Sequence, residues 1–153
     1  MKVLSSGVEP EPDAASRPRV DQSLTGTETI LLVEDDSMMR ELLTSALERF
    51  GYSVIAARDG EAAIEVASRY AAPIHVMLAD VVMPRMNGCD LARELRRWYP
   101  SIGVLLMSGF PDGAAAAQAL DAELAFFIEK PFSMSALAAA VRSAAEWRPR
   151  HAP

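Results

Sequence analysis

The chain has 153 residues, of which 50% are hydrophobic and 24% charged, and its formal net charge is −6 at pH 7. This length corresponds to one domain, so we expect no attached kinase or DNA-binding output domain, and the apolar content excludes wholesale disorder. The acidic balance argues against nucleic acid as a direct partner, because nucleic-acid binders carry basic surfaces that neutralise phosphates.

The sequence also predicts a cytoplasmic protein with no membrane partner. Its apolar stretches are shorter than the roughly 20 residues needed to cross a bilayer, and the first residues lack the apolar core of a signal peptide. Cys89 is the single cysteine, so no internal disulfide can form, and its expected role is that of a small packing residue.

Residues 1–28 are predicted to form a disordered tail or linker, because prolines, serines and charges of both signs occur there without a sustained apolar period. From Thr29 onward, short apolar runs alternate with segments of helical period, a pattern typical of βα units around a parallel sheet. Buried strands are predicted at residues 29–33, 53–57, 74–79, 102–107 and 125–128.

Apolar residues at helical spacing predict a helix after each strand. The first helix is capped by Asp36 and ends at Gly51, the second opens at Asp59, and an alanine-rich helix with a faint apolar stripe follows Pro111. The residues predicted to face the core include Met38, Met39, Leu42, Leu43, Ala46, Leu47 and Phe50 in the first helix, Leu91, Ala92, Leu95, Trp98 and Tyr99 in the third, and Met134, Leu137, Ala138, Val141, Ala144 and Ala145 in the last.

Five βα units define the fold class as α/β: a five-stranded parallel sheet of flavodoxin-like order 2-1-3-4-5, with helices on both faces. The domain is predicted to span residues 29–147, and a short C-terminal tail, 148–153, follows it. Trp147 is expected to cover the end of the helices.

Polar side chains follow the predicted strands. Glu34 and Asp35 follow the first strand, Asp80 the third, Ser108 the fourth and Lys130 the fifth. The carboxyl ends of parallel strands with right-handed crossovers meet at one edge, and the first and third strands are neighbours in this order. We therefore expect the carboxylates to lie close together.

Unpaired carboxylates a few ångströms apart repel by roughly 4 kcal/mol per pair at an effective dielectric of about 20, so a cation is needed. Oxygen ligands suit Mg²⁺, and zinc is disfavoured because no His or Cys joins the cluster. Lys130 could act as countercharge and Ser108 as hydrogen-bond donor to a phosphoryl group, while an aspartate acts as nucleophile to give an aspartyl phosphate.

The strings ILLVEDD, LADVVMPRMNG, VLLMSG and FFIEKPF resemble those of the receiver domain of bacterial two-component response regulators, in the same order, over about residues 29–147. The resemblance implies that Asp80 is the phosphoacceptor. It also implies that Glu34 and Asp35 hold Mg²⁺ together with Asp80 and the carbonyl of Val82, with Asp35 as a direct ligand and Glu34 acting through water.

The same resemblance implies the roles of the remaining site residues. Ser108 corresponds to the switch hydroxyl, Phe127 to the aromatic switch residue, and Lys130 to the lysine of the site, with a cis peptide expected before Pro131. The partners implied are a sensor histidine kinase or histidine phosphotransfer protein as donor and a downstream protein target. No enzyme activity is expected beyond self-phosphorylation and slow autodephosphorylation.

Two departures from other receivers concern the lifetime of the phosphate. Val82, two residues after the acceptor, and Phe110, two residues after Ser108, are apolar where other receivers often carry polar groups that orient water. We therefore predict slow loss of the phosphoryl group. The strings ETILLVEDD and MSGF resemble those of receivers that belong to hybrid sensor kinases. A free-standing receiver is the alternative.

Two alternative functions belong to other classes. The chain could be a phosphorylation-independent interaction module, although the complete residue set argues against it. A Mg²⁺-dependent phosphohydrolase is disfavoured because Val82 stands where such enzymes commonly need a second aspartate as acid or base.

We expect His75 to be a packed histidine, and Arg93, Arg96 and Arg97 to form a solvated charged face.

Overall fold

A computed structural model of the chain describes residues 20–109 and 125–150. A 3-10 turn, Gln22–Leu24, precedes the domain. The strands are β1 Thr29–Val33, β2 Ser53–Ala57, β3 Val76–Asp80, β4 Gly103–Ser108 and β5 Phe126–Glu129, and the helices are α1 Ser37–Arg49, α2 Gly60–Arg69, α3 Gly88–Arg96 and α4 Met134–Glu146. The helix predicted after Pro111, the residue Phe110, and the ends 1–19 and 151–153 lie outside the described residues.

The five strands form one parallel sheet of order β2-β1-β3-β4-β5, which confirms the predicted topology. The last three strands each end one residue later than predicted. Asp80 pairs with Met107, and Ser108 pairs with Glu129, so two polar residues expected just beyond the strands belong to the hydrogen-bonded ladder. The edge of the sheet therefore holds these side chains on rigid backbone.

Helices cover both faces of the sheet, as predicted. Packing of α2 and α3 buries one face, and packing of α1 and α4 buries the other. Every residue of β1 is buried, with Ile30 and Leu32 on the side of α1 and α4, and Leu31 and Val33 on the side of α2 and α3. A strand covered on both faces needs an unbroken apolar run, which explains the composition of β1.

Side-chain caps fix the starts of the helices. Asp36 and Asp59 accept hydrogen bonds from the backbone N–H groups of Met39 and Ala62, which confirms the two predicted caps. Gly51, just after α1, has a φ of +98°, a left-handed conformation that favours glycine.

Three large apolar side chains predicted to face the core are exposed instead. Met38 is 79% exposed and Leu42 54%, because α1 turns Leu43 and Leu47 towards the sheet and these two residues lie on its outer side. Trp98 is 45% exposed because it follows the end of α3, where the helical spacing no longer applies.

The prediction of a packed His75 is also wrong. His75 precedes β3 and is exposed, while its ring Nδ1 accepts the backbone N–H of Thr29 at 2.9 Å. The backbone N–H of His75 donates to the carbonyl of Thr29 at 2.9 Å. The residue therefore joins the amino ends of β1 and β3 from the surface.

The arginines of α3 differ in their surroundings. Arg93 and Arg97 are exposed and pair with Asp90 at 3.0 Å and Glu94 at 3.6 Å, as expected of a charged surface. The guanidinium carbon of Arg96 instead lies 4.6 Å from the centroid of the Trp147 ring, an arrangement in which cation and ring attract each other. The predicted position of Trp147 at the end of the helices is confirmed by this contact.

The segment of residues 20–28, which we term the strap, packs against the domain. It was predicted as part of a disordered tail, and this prediction is wrong for these residues. Val20 and Leu24 pack on the core between α1 and α4, and the N–H of Gly26 donates to the carbonyl of Phe50 at 3.0 Å. The strap has too few apolar residues to produce a period in the sequence, so its order depends on tertiary contacts.

An ion pair fastens the strap to α4. Arg142 Nη1 donates to Glu28 Oε1 at 2.7 Å and to the Tyr52 hydroxyl at 3.2 Å. The side chains of Arg142 and Glu28 are only 20% and 21% exposed. The Arg142 guanidinium lowers the pKa of Glu28, so this carboxylate contributes stability above its ordinary pKa, and the contribution is lost as the pH falls.

Across residues 20–109 and 125–150, no helix combines the length and the apolarity that crossing a membrane requires.

We expect Glu28→Gln to lower the free energy of unfolding by about 1 kcal/mol at pH 7, because Arg142 then loses its charged partner in a partly buried position. Urea unfolding followed by circular dichroism measures this loss. Glu146→Gln is the matched control, since Glu146 is 70% exposed and lies 3.5 Å from the same guanidinium. Equal losses in the two variants would contradict the importance of the strap contact.

Candidate functional site

The ends of two neighbouring strands bring three carboxyl groups together. Glu34 directly follows β1, and Asp80 is the last residue of β3. One carboxylate oxygen from each of Glu34, Asp35 and Asp80 lies within 4.8 Å of the others. The sequence placed these acids at one edge, and the structure has them in one cluster, which we term the acidic cluster.

Glu34 is the buried member of the acidic cluster. Only 3% of the residue is exposed, its Oε1 accepts the N–H of Asp36 at 3.2 Å, and its Oε2 is buried without a hydrogen-bond partner in the described part of the chain. Burial, and then the neighbouring Asp80 carboxyl, raise the pKa of Glu34 to about 7. Asp35, by contrast, is exposed.

Lys130 directly follows β5, two strands away from β3, and its side chain reaches the acidic cluster. Its Nζ lies 2.6 Å from Asp80 Oδ1, and the two side chains are 31% and 13% exposed. The backbone N–H of Lys130 donates to the carbonyl of Ser108 at 2.8 Å, and the peptide before Pro131 is cis, as expected. The ends of β4 and β5 are thereby joined beside Asp80.

The other predicted site residues surround this arrangement. Ser108 is the last residue of β4 and is half-buried, while Phe127 lies on β5 opposite Leu106 and is 41% exposed. Val82 follows Asp80 in the loop before α3 and is 70% exposed. The structure therefore brings the acids and Lys130 into direct proximity, and it places Ser108 at the end of the strand next to β3.

The loop after Asp80 is held closely against the strand. The N–H of Gly88 donates to the carbonyl of Val81 at 2.9 Å, and a Cβ at Gly88 would collide with the carbonyl oxygen of Asp80. Glycine is therefore required where α3 starts beneath the acid.

Two arginines near the site were missed by sequence reasoning. Arg40 of α1 donates from Nη1 to the carbonyl of Glu34 at 2.8 Å. Arg85 has a positive φ of 68° and lies 3.7 Å from Asp59 and 3.8 Å from Glu61, which ties the loop after Asp80 to the start of α2. Nothing in the sequence indicates these contacts, because long side chains reach residues that no local spacing relates.

The donors of the acidic cluster fit a hard divalent cation. They are all oxygens, and the buried Oε2 of Glu34 is left with unused capacity to bind a ligand. Mg²⁺ commonly binds through one or two carboxylates together with water and phosphate oxygens.

Comparison with known proteins identifies the family. Residues 30–142 match the response regulator receiver domain, and the chain belongs to this family of two-component signalling proteins. Receiver domains bind Mg²⁺ at an acidic pocket and are in general phosphoacceptors rather than enzymes. Within the described residues of this chain, Glu34, Asp35 and Asp80 form such a cluster of acids.

Relatives of very different length share this domain. The chain is 38% identical over 138 residues to sensor kinase CckA of Brucella abortus (strain 2308), covering 88% of this chain but only 14% of that protein. It is 37% identical to the response regulator receiver protein CpdR of the same organism, covering 69% of this chain and 86% of CpdR. The chain spans 28% of a matching cyclic di-GMP phosphodiesterase of Thermotoga maritima and 51% of response regulator RR06 of Streptococcus pneumoniae.

Solved structures show the same fold. A response regulator receiver protein from Sinorhizobium medicae is 27% identical with a TM-score of 0.70, covering 80% of this chain and 98% of its own. The chemotaxis protein CheY4 of Vibrio cholerae is 25% identical with a TM-score of 0.67, covering 78% and 99%.

We expect the stability of the protein in chelator to fall as the pH rises from about 4.5 to 7. The pKa of Glu34 rises from 4.5 to about 7 on folding, so the native state holds a proton that the unfolded state releases. Since a tenfold change in proton affinity is worth about 1.4 kcal/mol, the loss is at most about 3 kcal/mol.

Urea unfolding at a series of pH values measures this effect as the difference between the parent and Glu34→Gln. Stability below pH 4.5 should be similar in the two proteins, and the parent should become the less stable one by pH 7. A constant difference across this range would show that Glu34 titrates normally.

Proposed function

We propose that this receiver accepts a phosphoryl group on Asp80 from a phosphohistidine of a sensor kinase or phosphotransfer protein, with Mg²⁺ as cofactor. The observation that carries the proposal is the position of Asp80, whose carboxylate lies within 4.8 Å of the carboxylates of Glu34 and Asp35 and 2.6 Å from Lys130 Nζ. A nucleophile flanked by a cation site and an ammonium group suits attack on an anionic phosphoryl group.

In the proposed transfer, a carboxylate oxygen of Asp80 forms a bond to phosphorus while the bond from phosphorus to the donor imidazole nitrogen breaks. The electron pair of that bond stays with the imidazole. Lys130 faces the negative charge of the phosphoryl oxygens, and Ser108 donates a hydrogen bond to them. The product is an acyl phosphate on Asp80.

Glu34, Asp35, Asp80 and the carbonyl of Val82 would hold the metal in this proposal, with Asp35 as a direct ligand and Glu34 acting through water. When bound, Mg²⁺ supplies the positive charge that offsets carboxylate repulsion and neutralises phosphoryl oxygens.

The signal would leave the domain through a conformational change near β4 and β5. Lys130 contacts Asp80 directly at 2.6 Å in the present state, so an added phosphoryl group must alter this contact. Ser108, the last residue of β4, and Phe127, on β5, would respond to this change and alter the surface offered to a downstream protein. Such a change requires different contacts in the two states, which the phosphoryl group supplies.

Incubation of the full chain with acetyl phosphate and Mg²⁺ tests the proposal. We expect intact-protein mass spectrometry to show the addition of one phosphoryl group, and chelator to prevent it. Asp80→Asn should show no addition, while Asp90→Asn, an exposed aspartate on α3, should match the parent. No addition in the parent, or addition in Asp80→Asn, would favour a phosphorylation-independent interaction module.

We expect Val82→Asn to shorten the half-life of the phosphorylated protein several-fold. Val82 is 70% exposed beside Asp80, so a polar side chain there could orient a water molecule for attack without disturbing the core. The half-life is measured by removing the donor and following the mass of the protein with time. Val82→Ala serves as the control, and an equal half-life in Val82→Asn and Val82→Ala would overturn the explanation.

A further inference from the structure

The loop that carries Glu34 and Asp35 is held by a cation from the next helix. Glu34 donates its N–H to Ala57 at 3.0 Å, and its carbonyl accepts from Arg40 Nη1 at 2.8 Å. Its Oε1 accepts the N–H of Asp36 at 3.2 Å. Three of the four polar atoms of Glu34 are thus occupied, and the fourth, Oε2, is the buried oxygen left for the acidic cluster.

Arg40 is itself fixed at its backbone. Its N–H donates to the carbonyl of Asp36 at 2.9 Å, in the first turn of α1, and its side chain returns towards the end of β1. The guanidinium therefore joins the helix to the peptide unit between Glu34 and Asp35, two of the three residues whose side chains form the cluster.

We propose that Arg40 is a positioning residue of the acidic cluster: by holding the Glu34 carbonyl, it keeps the Glu34 and Asp35 carboxyl groups in the arrangement that binds Mg²⁺. This inference rests on the proposed function, because it assigns a role in the same metal site. Groups that orient metal ligands through hydrogen bonds commonly change metal affinity by roughly 10- to 100-fold when they are removed.

A purely electrostatic role for Arg40 would have the opposite effect. A guanidinium near the cluster repels a divalent cation, so removing its charge alone would strengthen Mg²⁺ binding. Removing a positioning group would weaken it. The sign of the change in affinity therefore separates the two roles.

The experiment compares Arg40→Met with Arg49→Met in the full chain, by isothermal titration calorimetry with MgCl₂. Both substitutions remove one positive charge from α1, but Arg49 is exposed and lies about 13 Å further along the helix. We expect Arg40→Met to bind Mg²⁺ roughly tenfold more weakly than the parent and Arg49→Met to bind it within about twofold. Arg40→Lys should recover part of the loss, because an ammonium can still donate to the carbonyl.

A second readout is the Mg²⁺ dependence of phosphorylation by acetyl phosphate. The half-maximal Mg²⁺ concentration should rise in Arg40→Met by a factor similar to the loss of affinity, while the rate at saturating Mg²⁺ stays within about threefold of the parent. If Arg40→Met does not fold, as judged by circular dichroism, Arg40→Lys replaces it, with an expected two- to threefold loss of affinity.

Unchanged or tighter Mg²⁺ binding in the folded variant would overturn the role of Arg40 and leave the proposed function intact. A parent protein that neither binds Mg²⁺ nor gains a phosphoryl group would instead overturn the proposed function. The measurements on the parent thus distinguish the two failures.

Discussion

The repulsion between three carboxyl groups at one edge of the sheet is the constraint on which the site depends. The fold places Glu34, Asp35 and Asp80 in one cluster, and the ammonium of Lys130 lies 2.6 Å from Asp80. Part of the repulsion is relieved by the raised pKa of Glu34, which favours its neutral form. The remaining negative charge attracts cations to this edge of the sheet. The same repulsion that destabilises the fold therefore favours the binding of a metal ion.

The sheet holds this cluster together because each of its members is attached to a hydrogen-bonded strand end. β1 and β3 are neighbours, so the acids that follow or end them meet, and the ladder between β4 and β5 brings Lys130 to the same edge. Helices packed on both faces prevent the strands from moving apart. The sheet therefore fixes the backbone of Asp80, and hydrogen bonds to Ala57 and Arg40 hold the backbone of Glu34 where β1 ends.

Sequence reasoning succeeded where local pattern and topology decide the structure. The strand order, the caps at Asp36 and Asp59 and the meeting of the acids all follow from apolar runs and parallel connections. It was wrong for Met38 and Leu42, since α1 is apolar on more than one side and only packing decides which side faces the sheet. It missed the strap and Arg40, because those contacts join residues that no periodicity relates.

The strap also determines which first residue a truncated fragment of this domain needs. The family match starts at residue 30, yet Glu28 pairs with Arg142 on the last helix, and Gly26 is bonded to Phe50. A fragment that starts at residue 30 would leave the Arg142 guanidinium without its nearest carboxylate and would expose the apolar side chains on which Val20 and Leu24 pack. A fragment that starts at Val20 or earlier keeps the contacts of the strap with Phe50 and Arg142. Shorter fragments would have a lower free energy of unfolding than the full chain.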